Sequence, residues 1–344
     1  MSIKAIQFKE PGPPSKLELT TIDKPKPEAG DLLVKIKACA VNPIDTKVRQ
    51  GAFPASNITG YDAAGIVEAV GSAVKGFKEG DEVYYSGALG RQGTTAQYSI
   101  VDHRIAAHKP KEVDFVTAAT IPLVTLTAWE MLEEQFNLVQ DDPSGKQKNK
   151  SLVIINGAGG VGSVATQLAR RVFKLGKVIV TASRPETIKH AEKLGATHVI
   201  NHHKDLKEQL KSEVGIDGVD YVFICYDTTS YLPKAVDIAN AKARIGSIVE
   251  VQEPLKGLET PDAFMKALSF HWELMFSKAV HKHDEESQGE ILRRAATLFD
   301  RGDLISIETE RHVLSVRSLI EAHEKLESGK SIGKIGLEIG DDIE

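Results

Sequence analysis

Cysteine, aromatic side chains and long apolar runs are all scarce in this chain of 344 residues, and each scarcity excludes a class of protein. Two cysteines, Cys39 and Cys225, cannot build a disulfide scaffold and are too few for an all-cysteine metal site. Both lie in apolar surroundings, Ile36-Lys37-Ala38-Cys39-Ala40 and Val222-Phe223-Ile224-Cys225-Tyr226, and read as buried structural thiols. No uninterrupted apolar run approaches the roughly 18 residues of a membrane span, so no membrane partner is expected. Basic excess is missing too: 43 Lys and Arg against 48 Asp and Glu leave a net charge of −5, which argues against nucleic acid. The stretch MSIKAIQFKEPG has neither an apolar h-region nor an Arg-rich amphipathic start, so the cytosol is the expected compartment.

What is present has the texture of two domains, which the length also suggests at roughly 150 residues per domain. Up to about Pro122 the chain reads as short strands cut by turns such as Pro11-Gly12-Pro13-Pro14 and Glu79-Gly80-Asp81. The strands expected there are Lys4 to Phe8, Leu32 to Ile36, Ala64 to Val70, Glu82 to Tyr85 and Ala96 to Val101. From Leu152 onward apolar strands alternate with helices: Leu152–Ile155, a helix to about Lys174, Lys177–Thr181, a helix from Pro185 to Leu194, His198–Ile200, a helix near 204–213, then Tyr221–Ile224. Such alternation means a parallel sheet covered on both faces. The polar segment 141–150 reads as an exposed, mobile connection. Helices near 288–299 and 315–328 precede a strand-like end, Gly333-Lys334-Ile335-Gly336-Leu337, expected to pack back on the first domain.

The sharpest motif is Gly157-Ala158-Gly159-Gly160-Val161-Gly162, directly after an apolar strand and directly before a helix. That is the context a dinucleotide fingerprint requires. Gly157 is expected to allow a tight turn and Gly159 the approach of a pyrophosphate. Gly162 would let helix and strand pack closely, while the helix N-terminus offers N–H groups to the anion. An NAD site usually places a carboxylate at the end of the second strand to hold the ribose 2′-hydroxyl. Here Ser183 and Arg184 stand there, a hydroxyl and a guanidinium suited to a 2′-phosphate, so NADPH is the expected cofactor.

These motifs resemble the medium-chain dehydrogenase/reductase superfamily, in its zinc-independent quinone oxidoreductase-like branch, over nearly the whole chain. The resemblance also rests on Ala40-Val41-Asn42-Pro43-Ile44-Asp45, Gly60-Tyr61-Asp62-Ala63-Ala64-Gly65, Gly80-Asp81-Glu82-Val83, Thr127-Ala128, Leu194-Gly195-Ala196 with Asn201, and Gly333-Lys334-Ile335. It implies an α/β architecture. A GroES-like β-rich catalytic domain, discontinuous over 1–127 and 279–344, would receive an inserted Rossmann doubly wound parallel sheet over 128–278, with the active cleft between them. It implies a homodimer formed at the sheet edge near Phe270–Phe276. Within the cofactor site it implies Thr127, Asn201 and Lys334 beside Gly157, Gly159, Gly160, Val161, Gly162, Ser183 and Arg184.

Zinc alcohol dehydrogenases of this superfamily carry a Cys in the segment matching Val41-Asn42-Pro43 and a His in the one matching Gly60-Tyr61-Asp62. Asn42 and Tyr61 stand at those places, and no cysteine lies between Cys39 and Cys225 to form the structural zinc lobe. His202-His203 and His281-x-His283 read as surface histidines, so no metal is expected. Without a Lewis acid to hold an alkoxide, the expected substrates are small quinones or α,β-unsaturated carbonyls, which spread the charge of an incoming hydride. Tyr61 is the candidate proton donor, with Asn42, Asp45 and Lys47 as further catalytic or positioning groups. A non-catalytic NADPH-binding protein and a zinc-free alcohol or aldehyde reductase are the alternatives.

Overall fold

A computed structural model describes residues 1–340 and 342–344 of the chain. The backbone divides into two compact units, one formed by Met1–Leu126 with Phe276–Glu344 and the other by Thr127–Met275.

The discontinuous unit is built on strands. β1 (Ser2–Phe8) and β2 (Leu17–Asp23) form an antiparallel pair. A seven-stranded sheet contains β3 (Asp31–Ala40), β4 (Asp62–Val70), β5 (Glu82–Ser86), β6 (Tyr98–Asp102) and β7 (Ala106–His108). β3 is the hub because it pairs with β4 along nearly its whole length, and on its other edge with β6 through its first half and with the chain's last strand through its end. Its apolar residues are buried nearly throughout, with Leu32, Val34 and Ala38 fully enclosed.

The continuous unit carries a six-stranded parallel sheet of β8 (Ser151–Ile155), β9 (Lys177–Thr181), β10 (His198–Ile200), β11 (Val219–Ile224), β12 (Ala239–Ser247) and β13 (Ser269–Trp272). Their order is β10-β9-β8-β11-β12-β13, so the chain reverses its direction of travel at β8. In open α/β sheets the crevice beyond the carboxyl ends of the strands at such a switch point is where ligands bind. All five residues of β8 are buried, as a strand covered on both faces demands. The first unit is then completed by β14 (Glu308–Val313) and β15 (Lys334–Glu338), the latter antiparallel to β3 with Gly336 opposite Ala40.

Two expectations are corrected here. The polar segment 141–150 is anchored rather than loose. Gln147 is 9% exposed, and its amide exchanges hydrogen bonds with the backbone of Val139 and donates to the Phe173 carbonyl at 2.6 Å. The helix expected to run to Lys174 keeps α-helical spacing only over Gly160–Gln167. Its last turn widens, with the Phe173 N–H reaching back to the Leu168 carbonyl at 2.9 Å. No helix among the described residues is long and apolar enough to cross a membrane.

Candidate functional site

In the continuous unit, β8 delivers the chain into the glycine loop. The left-handed residue of the turn is Asn156 (φ 62°), and Gly157 has no positive φ, which corrects the expectation that Gly157 supplies the turn. Gly157 is needed for closeness: a Cβ there would lie 2.2 Å from Val180 Cγ1 on β9. A Cβ on Gly162 would lie 2.5 Å from the Gly157 Cα, so that glycine lets helix and loop touch, as expected. Gly159 is less confined, its nearest neighbour being Asn156 Nδ2 at 3.1 Å. It stands at the N-cap of helix Gly160–Gln167, whose opening N–H groups, from Gly160, Val161 and Gly162, have no carbonyl partner within the helix and could take an anion. The Asn156 N–H donates to Thr181 Oγ1 at 3.0 Å and ties the loop to the neighbouring strand.

The end of β9 lies against the end of β10. Ser183 Oγ is 3.3 Å from His202 Nε2, and the rings of His202 and His203 lie 4.2 Å apart. Arg184 is half exposed, ion-paired to Glu186 at 3.3 Å, and caps helix Pro185–Lys193. His202 is held below the ordinary imidazole range, first by burial and then by the positive charges of His203, Lys234 and Arg184. Sequence reading left both histidines as plain surface residues and did not single out Lys234. No short motif joins them, because they meet only through the sheet. Asn201 is occupied locally: its side-chain oxygen accepts from the His203 N–H at 2.8 Å, and its backbone exchanges hydrogen bonds with Gln209. Thr127 is buried in this unit.

In the discontinuous unit a closed polar network surrounds the start of helix Pro43–Arg49. Asn42 caps that helix, and Asp45, at its third position, accepts from the Asn42 N–H at 2.6 Å and from the Gly60 N–H at 3.0 Å. Asn42 donates through Nδ2 to Asp62 Oδ2 at 2.8 Å. Asp62 also accepts from the Leu123 N–H at 2.7 Å. Lys334, on the returning strand β15, donates to the Val41 carbonyl at 2.8 Å, to Asn42 Oδ1 at 2.5 Å and to Asp62 Oδ2 at 2.9 Å. Lys334, Asp62, Asn42 and Asp45 are each 4% exposed or less. Lys334 therefore departs from the expected role at the cofactor. Its three N–H donors are spent inside this network, and none remains for a phosphate.

Burial pushes the Asp45 carboxyl up to about 7 and Asp62 adds to the rise, while the Asn42 and Gly60 N–H groups and Lys334 oppose it. Tyr61 is buried beside it, with its ring edge-on to Phe276 at 4.9 Å between centroids. Burial and the nearby Asp45 push the phenol well above its usual range, so it keeps its proton throughout neutral pH. Lys47 is half-buried on the same helix. Burial likewise raises the Cys39 thiol far above reactivity. A zinc ion does not fit these donors. An amide and a phenol stand where the ligands would be, and the adjacent carboxylate already holds a buried ammonium that would repel a dication. Among the described residues no group of three or more His, Cys, Asp or Glu is arranged to hold a metal.

Comparison with known proteins agrees with the fold, while several of the matching descriptions carry zinc, which the donors of this chain do not fit. The family described as the alcohol dehydrogenase GroES-like domain matches residues 28–111, and the one described as zinc-binding dehydrogenase matches residues 160–284. The chain is 39% identical to the zinc-type alcohol dehydrogenase-like protein of Staphylococcus epidermidis, over 91% of this chain and 92% of that one. It is 33% identical to the chloroplastic NADPH-dependent alkenal/one oxidoreductase of Arabidopsis thaliana, over 93% and 75% of the two. Among solved structures, a Rhizobium etli protein provisionally named a zinc-dependent alcohol dehydrogenase superposes with a TM-score of 0.89 at 37% identity, covering 98% of each chain. The Escherichia coli quinone oxidoreductase complexed with NADPH superposes with a TM-score of 0.80 at 26% identity, covering 97% of this chain and 99% of that one.

Proposed function

Because the chain belongs to the medium-chain dehydrogenase/reductase superfamily, we propose that it is an NADPH-dependent reductase of quinones or α,β-unsaturated carbonyls that works without zinc. The observation that carries the reading is the phosphate end of the parallel sheet, where a glycine loop opens a helix and the neighbouring strand runs into Ser183 and Arg184 without a carboxylate. A carboxylate there would repel a 2′-phosphate, whereas a hydroxyl and a guanidinium bind one. The NADPH in the E. coli complex and in the name of the Arabidopsis relative supports the same cofactor.

When bound, the nicotinamide supplies the hydride. The loop Gly157–Gly162 and the helix N-terminus hold the pyrophosphate, and Ser183 and Arg184 hold the 2′-phosphate. On the substrate side, a donor set that does not suit zinc favours acceptors whose conjugation disperses the arriving charge, such as quinones, enones and enals. Tyr61 remains protonated at neutral pH and donates a hydrogen bond to the substrate oxygen; a proton passed to that oxygen is replaced from water. Asn42 is fixed at both ends of its amide by Lys334 and Asp62, and Asp45 ties the start of its helix to the Gly60 N–H beside Tyr61.

NADPH oxidation with a benzoquinone, an ortho-quinone, an enone and a saturated aldehyde tests the reading. Turnover with the first three and none with the aldehyde is expected. Turnover of the aldehyde alone would make the protein an aldehyde reductase, and tight NADPH binding with no turnover would make it a binding protein. Tyr61→Phe should lower turnover at saturating substrate by about a hundredfold, the usual scale of a proton donor. An unchanged rate removes Tyr61 from that role.

A further inference from the structure

His202 and His203 stand outside every role described so far, yet they meet the Ser183 side of the cofactor site. His202 Nε2 is 3.3 Å from Ser183 Oγ, and its ring is packed on that of His203. The side chains of Arg184, His203 and Lys234 come close enough for their charges to act on it. Lys234 is further held over the Tyr231 ring, 4.8 Å from its centre. Four basic groups thus converge from three segments: the end of β9, the connection after β10, and helix Thr228–Ile238.

The carboxylates of the same segments offset one charge of this group, that of Arg184, and are otherwise held at other partners. Glu186 is paired with Arg184. Asp205 caps its own helix, accepting from the Glu208 N–H at 2.7 Å. Asp227 caps the next one, accepting from the Ser230 N–H at 3.1 Å. Basic side chains gathered beside a serine hydroxyl are matched to a dianion, which would compete with Glu186 for Arg184.

We propose that His202 and His203 complete a cradle for the 2′-phosphate of NADPH with Ser183, Arg184 and Lys234, and that His202 takes up a proton from solvent as the phosphate binds. This rests on the reading of NADPH as the cofactor. In the free protein His202 is disfavoured as a cation by burial and by its basic neighbours. An arriving dianion reverses that balance, because an opposite charge within a few ångströms favours the protonated ring. Binding of NADPH is then linked to a proton, and binding of NADH is not. A phosphate of this kind completes its second ionisation near pH 6, so above pH 7 the linkage reports the imidazole rather than the ligand.

The test is calorimetric titration of the whole protein with NADPH and with NADH, at pH 7.5, in two buffers of different ionisation enthalpy, beside direct affinities at pH 7.0 and 9.0. Net proton uptake with NADPH and none with NADH is expected. The preference for NADPH over NADH should fall about tenfold between pH 7.0 and 9.0. His202→Gln should abolish the proton uptake and flatten that pH dependence while leaving the NADH affinity unchanged, which also reports that the variant is folded. Lys234→Ala should weaken NADPH and spare NADH. A strong preference for NADPH that carries no proton uptake and survives His202→Gln overturns the inference and leaves the cofactor reading standing. Equal affinity for NADH and NADPH overturns the cofactor reading itself.

Discussion

At the scale of single residues, the centre of the polar network in the discontinuous unit is one ammonium. Lys334 and Asp62 form a buried ion pair at 2.9 Å, with the remaining donors of the lysine on the Val41 carbonyl and the Asn42 amide oxygen. Removing one partner of such a pair strands the other charge in a place water cannot reach, which costs about 3–5 kcal/mol. Lys334→Met is therefore expected to lower stability to chemical denaturation by that amount. Adding Asp62→Asn should restore part of it, since the amide oxygen can still accept from the Leu123 N–H. A loss below 1 kcal/mol in the single variant would mean the pair is not a support of the fold. Asn42, Tyr61 and Lys334 were legible in the sequence as members of recurring motifs, but the job of Lys334 was not. Its partner Asp62 is 272 residues away, and the two meet because β15 and β4 both pair with β3 at Ala40.

Elements were most legible where local pattern and tertiary role coincide. β9 and β10 fall where the alternation of apolar strand and polar helix puts them, and β8 and β11 are displaced by only one or two residues. β12 was missed because its first half, Ala239–Lys242, is largely exposed and its backbone turns left-handed at Lys242, so no strand-like alternation precedes the buried Ile245. The glycine loop was recognised, while the division of labour among its glycines required coordinates, and that division can be measured. Gly157→Ala drives a methyl group into Val180, an overpacking worth about 1–3 kcal/mol, so both the melting temperature and nucleotide affinity should fall. Gly159→Ala meets only an asparagine amide at 3.1 Å, so stability should hold while affinity for NADPH drops at least tenfold. Equal thermal losses in the two variants would contradict these separate roles.

At the scale of the whole molecule, the chain leaves its first unit at Leu126 and returns to it at Phe276, and the stretch between carries a pair of buried carboxyl groups. Glu273, just beyond β13, is 6% exposed and faces Glu130, itself 2% exposed. Burial and then the Glu130 charge push its carboxyl well above the ordinary carboxylate range. Nothing in the sequence marks this pair, since an isolated Glu is ordinarily a solvated residue and the two lie far apart along the chain. At pH values above the ordinary carboxylate range and below its own raised one, the folded protein retains a proton that the unfolded chain has released, so stability falls as pH rises through that window. The limiting slope for one such group is about 1.4 kcal/mol per pH unit. Glu273→Gln keeps a donor towards Glu130 and removes the titration. The variant should therefore melt close to the natural protein at pH 5 and clearly above it at pH 8.5, as read by thermal unfolding of the whole chain at both pH values. Parallel melting curves for the two proteins across that range would show that Glu273 does not hold the extra proton.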